Sequence, residues 1–303
     1  MIDLIGDIHG HADKLEALLL KLGYQKNKGV YSHPQRKILF VGDYIDRGPK
    51  IRETLEIVRS MVESENAIAL MGNHEYNALC FHFHKNEGGH LREHNIENIL
   101  QHYETLQQFH NNQKEYENYL DWFKTLPLYY ETDSFRAVHA CWDNNHIEYL
   151  KNNLENDRLT DELIYQSTQK GTLFNDAIEE TLKGKELQLP EGYSFTDKQK
   201  TIRTKIRIKW WENPSQMTYH SISVEPISGL PEQPIEAFKS KNEHYGIDEK
   251  NVFFGHYWLS GNPLPHKRNV CCLDYSVAKG GKLVAYRFDQ EENLDENKIV
   301  FID

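Results

Sequence analysis

The sequence predicts an α/β protein in which short apolar strands alternate with helices. Strand, loop and helix follow one another through the first 80 residues, as in a βαβ layer. The apolar runs predicted as strands before polar motifs are 2–5, 38–41, 67–71, 135–138 and 252–254. Because such folds place their sites beyond the carboxyl ends of the strands, we expect these motifs to meet at one edge.

Helical spacing of apolar residues predicts the connecting helices. Leu15, Leu18, Leu19 and Leu22 share one face, and Gly23 ends that helix. A second helix is predicted over 52–63, and the third motif opens another. A helical pattern runs from Glu97 to about Lys124. Its expected inner face carries Leu100, Leu106, Phe109, Tyr116, Leu120 and Phe123.

The middle of the chain is the least patterned part. Helices are predicted near 146–155 and 160–183, and short strands return over the last 50 residues. No sharp change of composition marks a linker. We therefore predict a single domain, 1–303, in which 144–250 is an insertion or helical cap.

Composition limits the class of function. The 303 residues are 39% hydrophobic and 27% charged, as in globular proteins. No apolar run approaches the roughly 20 residues of a membrane span, and a first strand at Ile2 leaves no room for a signal sequence, so we expect a cytoplasmic protein without a membrane partner. A net charge of −11 disfavours long nucleic acid but not a small phosphorylated substrate. The cysteines Cys80, Cys141, Cys271 and Cys272 lack Cys-x-x-Cys spacing and are predicted to be reduced and mostly buried.

Five motifs carry the candidate chemistry. In chain order they are Gly6-Asp7-Ile8-His9-Gly10, Gly42-Asp43-Tyr44-Ile45-Asp46-Arg47-Gly48, Gly72-Asn73-His74-Glu75, Val138-His139-Ala140 and Gly255-His256. Asp7 and His9 are two residues apart on an extended segment, so their side chains point to the same side and can bind one ion. Asp43 is placed to bridge two ions. Asn73, His139 and His256 would complete the second ion's shell. Mixed imidazole and carboxylate ligands suit divalent metals, of which Mn²⁺ is our expectation, with Fe, Zn, Ni or Mg as alternatives.

These motifs resemble those of the calcineurin-type metallophosphoesterases, specifically the phosphoprotein phosphatase branch. Within it the chain is similar to bacterial members, including diadenosine tetraphosphatase-like enzymes and the phosphatase domain of polynucleotide kinase-phosphatases. The second similarity extends to Leu126-Pro127-Leu128, Cys272-Leu273-Asp274-Tyr275 and Lys279-Gly280-Gly281. The resemblance covers 1–80 tightly and 126–143 and 252–288 moderately. It implies the metallo-dependent phosphatase fold, a central β-sandwich flanked by helices with a dinuclear site at one edge.

The resemblance also implies roles for individual residues. It assigns one metal to Asp7, His9 and Asp43, and the other to Asp43, Asn73, His139 and His256. His74 falls where the family keeps the proton donor to the leaving oxygen. Asp46 matches the carboxylate that orients this His, and Arg47 matches the phosphate-binding arginine.

Physical chemistry supports the same division of labour. Two cations about 3.5–4 Å apart lower the pKa of a bridging water and neutralise charge during in-line displacement. We therefore expect direct attack by the bridging hydroxide, with His74 as general acid and an Arg fork on the phosphate.

Further residues are weaker candidates for contacts to substrate or to the ligands. Alternation places Arg203, Lys205, Arg207 and Lys209 on one face before Trp210 and Trp211. Arg203 and Arg207 are the candidates for a phosphate site, and a solvated strand face is the alternative. The two Trp side chains are expected to pack in the core more than to flank a groove. His94, in a His-rich stretch, and Asp274 are candidates for contacts behind the site.

Three functions are compatible with the sequence. The first is a phosphatase of monoesters, with phosphoserine, phosphothreonine or phosphotyrosine proteins as targets. The second is a nucleotide phosphohydrolase that acts on dinucleoside polyphosphates or on cyclic or terminal phosphates. A regulatory module that has lost catalysis is the third, but such proteins usually lose a ligand or the proton donor, and here the ligands and His74 are present.

Overall fold

A computed structural model describes residues 1–196, 201–235 and 244–303 of the chain. Its strands are β1 (Ile2–Ile5), β2 (Gln25–Asn27), β3 (Val30–Ser32), β4 (Lys37–Phe40), β5 (Ala67–Ala69), β6 (Tyr129–Glu131), β7 (Phe135–Val138), β8 (Glu186–Gln188), β9 (Phe195–Thr196), β10 (Ile202–Arg203), β11 (Lys205–Arg207), β12 (Asn251–Phe254), β13 (Val270–Cys272), β14 (Asp274–Tyr275), β15 (Lys282–Phe288) and β16 (Ile299–Ile302). Its α-helices are α1 (Ala12–Lys21), α2 (Ile51–Glu63), α3 (Asn73–His82), α4 (Ile96–Gln108), α5 (Gln113–Phe123), α6 (Asn144–Asn153), α7 (Asp161–Ser167), α8 (Leu173–Lys183) and α9 (Tyr219–Ile222).

Two mixed sheets form the centre of the fold. The first has the order β14-β15-β1-β4-β5, with β16 also paired to β15, and the second has the order β13-β12-β7-β6. β1, β4 and β5 run parallel to one another, as do β7, β12 and β13. The motif-bearing strands of each sheet therefore end at a common edge.

The two sheets pack face to face through an apolar layer. Phe135 and Phe253 of the second sheet contact Phe288 of the first, with ring centroids 5.2 and 5.6 Å apart. Leu4, Leu39 and other buried strand residues belong to the same cluster. This arrangement confirms the predicted β-sandwich, and a larger cluster joins its outer faces to the helices.

The helical pattern predicted over 97–124 forms two helices, and one residue of its expected inner face is placed wrongly. A turn separates α4 from α5, where Phe109 ends the first and Asn112 precedes the second. Leu100, expected inside, is 65% exposed, whereas Phe109, Tyr116 and Phe123 are buried as predicted. Asn residues favour turns, and the turn rotates α5 relative to the periodicity of α4.

The segment 144–250 divides into two parts. Apolar residues of α6, α7 and α8, including Ile147, Ile164 and Ile178, are buried in the main core. Residues from β8 onward have a small core of their own, made of Leu187, Leu189, Ile206, Ile208, Tyr219, Ile222, Leu230 and Ile235. We call residues 184–235, as far as they are described, the cap. Parts of the predicted insertion, 197–200 and 236–243, lie outside the described residues, and the single-domain organisation stays a prediction.

Other expectations about burial are met. Trp210 and Trp211 are both 3% exposed, which confirms that they pack in the core. The four cysteines are free and buried. Within the described ranges, no helix combines the length and the apolar character that crossing a membrane requires.

Candidate functional site

The sandwich edge brings the predicted ligands together. Asp7 and His9 follow β1, Asp43 follows β4, and Asn73 begins α3 after β5. His139 and His256 follow β7 and β12 of the other sheet. All six side chains are buried, between 0% and 9% exposed.

One group of ligand atoms converges tightly. Asn73 Oδ1 lies 3.0 Å from His139 Nε2 and 2.8 Å from His256 Nδ1. His139 Nε2 lies 3.4 Å from Asp43 Oδ1. Metal–ligand bonds of about 2.0–2.2 Å hold neighbouring ligand atoms roughly 3–3.5 Å apart, so these spacings suit one shared cation.

A second group lies on the other side of Asp43. His9 Nε2 is 3.6 Å from Asp43 Oδ2 and 3.9 Å from Asp7 Oδ2. The two oxygens of Asp43 thus face different groups. This is the arrangement expected of a carboxylate that bridges two ions.

The hydrogen bonds of His9 and His139 leave Nε2 of each ring available to bind a metal. His9 Nδ1 donates to the Ile45 carbonyl at 3.0 Å, and His139 Nδ1 donates to the Val41 carbonyl at 2.8 Å. Such bonds fix the tautomer and turn Nε2 toward a metal. His9 Nε2 is buried without a hydrogen-bond partner among the described residues, so a cation would satisfy it.

The shifted pKa values of the buried ligands also favour the binding of cations. Burial, with the neighbouring Asp274 and Asp43, raises the pKa of Asp7 well above its usual range. Burial lowers the pKa of His9 to about 3, so this ring is neutral and able to act as a ligand. Asp43 raises the pKa of His139 against the effect of burial, so this ring differs from His9. Carboxylates and imidazoles are the donor set that divalent metals occupy, and a bound cation would favour the ionised form of Asp7 and the neutral form of the rings.

The backbone around these residues is unusual. His9, Asp43, Asp46 and His256 have φ values of +50°, +57°, +82° and +72°, in the left-handed region. Such conformations cost about 1–3 kcal/mol each and cluster at functional sites. Residue 255 must be a glycine because its backbone lies close to Asp7: a Cβ at this position would be 1.9 Å from Asp7 Oδ1.

His74 lies beside the two groups and is tied to Asp46. Its Nδ1 is 2.6 Å from Asp46 Oδ2, and its Nε2 is 3.9 Å from Asp43 Oδ2. Burial acts to lower the pKa of His74, but Asp43 and the hydrogen bond to Asp46 outweigh it and hold that pKa above its usual value. His74 therefore favours the imidazolium form, which can donate a proton.

A cleft of about 510 Å³ opens onto this site. His74, Asn73 and His256 form its floor. Five cationic side chains line its walls, namely Arg47, Arg203, Lys205, Arg207 and Lys279, together with the three carboxylates of Glu97, Glu186 and Glu225. Trp258 also lines it, with Lys279 Nζ 3.7 Å from the ring centroid. The cap supplies three of the cations and so forms one wall.

Two weaker candidates have different positions. His94 does not line the cleft; its Nε2 lies 2.7 Å from the Phe81 carbonyl oxygen, and its ring stacks on Phe81. Asp274 is buried behind the site, where it accepts hydrogen bonds from the backbone N–H groups of Trp258 and Ser276 at 2.6 and 2.9 Å.

Sequence reasoning missed Glu75 as part of the site. Its carboxylate accepts hydrogen bonds from the backbone N–H groups of Asp43, Tyr44 and Gly72 at 2.9, 2.8 and 3.0 Å. Burial raises the pKa of Glu75 to about 7. An available signal was its place three residues after the Gly72 N-cap, where a Glu commonly completes a capping box.

The family model described as calcineurin-like phosphoesterase matches residues 1–220 of the chain. The chain belongs to this family. Calcineurin-like phosphoesterases use a dinuclear divalent metal centre, and the described residues of this chain include His and Asp groups that could hold such ions.

Relatives and a solved structure agree with this assignment. The chain is 39% identical over 112 residues to bis(5'-nucleosyl)-tetraphosphatase PrpE [asymmetrical] of Oceanobacillus iheyensis, covering 37% of this chain and 44% of that protein. It is 41% identical over 106 residues to the protein of that name from a Geobacillus species, covering 35% and 42%. The chain thus spans less than half the length of these relatives. A protein serine/threonine phosphatase from Saccharomyces cerevisiae, with similarity to human phosphatase PP5, shares the fold at a TM-score of 0.51 and 14% identity, over 99% of this chain and 78% of that one.

Proposed function

We propose that this calcineurin-like phosphoesterase hydrolyses nucleotides that carry a polyphosphate, with dinucleoside polyphosphates as the preferred class. The cleft carries the proposal, because cationic side chains extend from the metal-site floor along the cap. The names of the relatives support the same substrate class.

The length of the cationic wall favours a substrate with several phosphates. Lys205 and Arg207 are alternate residues of β11, and Ile206 between them is buried in the cap, while Arg203 ends the preceding strand β10. Alternate side chains of a strand share a face about 7 Å apart, and Arg203 lengthens this wall. A single phosphate would occupy only one end of such a wall. A polyphosphate would be neutralised along its length.

The roles of the floor residues follow from their geometry. Asp7, His9, Asp43, Asn73, His139 and His256 would hold two divalent cations. When bound, these cations would activate water and neutralise charge on the reacting phosphate. Arg47 and Arg207 would bind oxygens of that phosphate, and His74, held by Asp46, would protonate the leaving oxygen.

A phosphoprotein substrate was our first interpretation of the sequence. The yeast serine/threonine phosphatase supports it only through a shared fold, and a fold does not define a substrate. The relatives favour the nucleotide alternative.

A substrate panel with Mn²⁺ tests the proposal. We expect kcat/KM for diadenosine tetraphosphate to exceed that for a phosphoserine or phosphotyrosine peptide by at least about tenfold, or about 1.4 kcal/mol. The opposite preference would refute it and support the phosphoprotein alternative.

Two variants locate the binding wall. Lys205→Gln should raise KM for diadenosine tetraphosphate about fivefold, because one partly exposed charge contributes about 1 kcal/mol. Lys209→Gln is the matched control, since Lys209 continues the alternation but its Nζ donates to the Ser221 carbonyl and does not line the cleft. Equal effects of the two variants would count against a role for the cap wall.

A further inference from the structure

Asp46 accepts more hydrogen bonds than orienting His74 requires. Its Oδ2 accepts from His74, while its Oδ1 lies 2.6 Å from both His102 Nδ1 and Thr105 Oγ1. The Asp46 backbone N–H donates in turn to Thr105 Oγ1 at 3.1 Å. Tyr116 Oη lies 2.8 Å from His102 Nε2. All these residues are at most 7% exposed.

The burial pattern of α4 shows that these contacts are not incidental packing. The whole of α4 lies in the described part of the chain, and its two buried side chains are His102 and Thr105. Its apolar residues Ile96, Ile99 and Leu100 are 78%, 37% and 65% exposed, and Leu106 is half-buried. A helix held by packing alone would bury the apolar residues. α4 instead turns two polar side chains, three residues apart, toward one carboxylate.

The donors fix the direction of the network. Asp46 is an acceptor when ionised, so His102 Nδ1–H and Thr105 Oγ1–H both donate to it. His102 Nε2 then accepts from the Tyr116 hydroxyl. With Oδ1 satisfied, Asp46 Oδ2 is directed at His74 Nδ1. This leaves Nε2 of His74 as the ring atom facing Asp43 and the floor of the cleft.

We propose that His102 is a positioning residue, which with Thr105 and Tyr116 fixes the Asp46 carboxylate and so aims His74 Nε2 at the leaving oxygen. The proposal rests on the proposed function, in which His74 is the proton donor. His102 does not itself line the cleft, and its Nδ1 bonds Asp46 rather than a candidate ligand.

A positioning role predicts a dependence on the leaving group that a merely structural role does not. His102→Leu removes the donor at similar volume. It should lower kcat for phenyl phosphate, whose leaving group needs a proton, about 10- to 100-fold. The loss for 2,4-dinitrophenyl phosphate, whose leaving group departs unprotonated, should be less than about threefold. His102→Asn keeps an N–H near the position of Nδ1 and should restore part of the loss.

His82 offers a matched control. It lies in the same aromatic cluster, with its ring centroid 5.7 Å from that of His102, and its Nε2 has no hydrogen-bond partner among the described residues. His82→Leu should change kcat for the two aryl phosphates by the same factor. Equal losses in His102→Leu, or a selective loss in His82→Leu, would overturn the positioning role.

A spectroscopic readout separates this proposal from the proposed function. The short His74–Asp46 hydrogen bond should give a low-field proton resonance in the Zn²⁺-loaded protein, assigned by its loss in His74→Asn. His102→Leu should shift or broaden it, and His82→Leu should not. If wild-type protein hydrolyses neither the aryl phosphates nor diadenosine tetraphosphate, the proposed function fails, and the resonance still decides the positioning role. An unchanged resonance in His102→Leu would overturn it.

Discussion

Replacement of Asp46 by Asn should displace the alkaline limb of the pH–rate profile. The carboxylate accepts a 2.6 Å hydrogen bond from His74, and Asp43 together with this bond holds the pKa of His74 above its usual value, against the opposing effect of burial. A hydrogen bond to a charged group contributes about 1.5–3 kcal/mol. At about 1.4 kcal/mol per pKa unit, its loss should lower the pKa of His74 by about one to two units.

The sign follows from the role of His74 as an acid. Activity requires the imidazolium and is lost as the pH rises through the pKa of His74, so a lower pKa brings that loss to lower pH. For phenyl phosphate, kcat of Asp46→Asn at pH 8 should fall about 10- to 100-fold, with a smaller deficit at pH 6.

The assay is a kcat profile from pH 5 to 9 at saturating Mn²⁺, with bound metal measured in each variant. Asp143→Asn is the control, because Asp143 bonds Lys185 and the first turn of α6 and makes no contact with His74 in the described structure. If the alkaline limb of Asp46→Asn lay at the wild-type pH, Asp46 would not raise the pKa of a catalytic His74.

Three other changes test the same site. Asp43→Asn should lose at least one bound metal and the activity with it, measured by elemental analysis; full metal content would contradict its bridging role. His74→Asn should keep both metals but lower kcat for an alkyl phosphate by about 10²–10⁴-fold, and unchanged turnover would remove His74 from the acid role. Gly255→Ala should displace Asp7, because the new Cβ would lie 1.9 Å from Asp7 Oδ1. We expect weaker metal binding and a lower melting temperature, and a wild-type value of both would show that the loop can adjust.

Much of the fold could be predicted because the strands are short apolar runs that end in Gly-rich motifs. The limits of β1 and β7 match the predicted strands, and the other motif-bearing strands differ by one or two residues. The convergence of Asp7, Asp43 and His139 could be expected because parallel strands deliver their carboxyl ends to one edge.

The errors arose where tertiary contacts override periodicity. Leu100 fits an inward helical position, yet α4 turns it to solvent in order to bury His102 and Thr105 against Asp46. Polar residues are normally assigned to the outer face of a helix, so periodicity alone could not reveal this network. The structure of the cap could not be predicted from local patterns either, because its small core forms through contacts between residues distant in the sequence, such as Leu187 and Ile206 on paired strands.

Anomalous diffraction from crystals grown with Mn²⁺ is the sharpest test of the dinuclear metal site. We expect two anomalous peaks about 3.5–4 Å apart, with Asp43 between them. Asp7 and His9 should contact one peak, and Asn73, His139 and His256 the other. A single peak, or peaks away from these side chains, would contradict a dinuclear phosphohydrolase site at this edge of the sandwich.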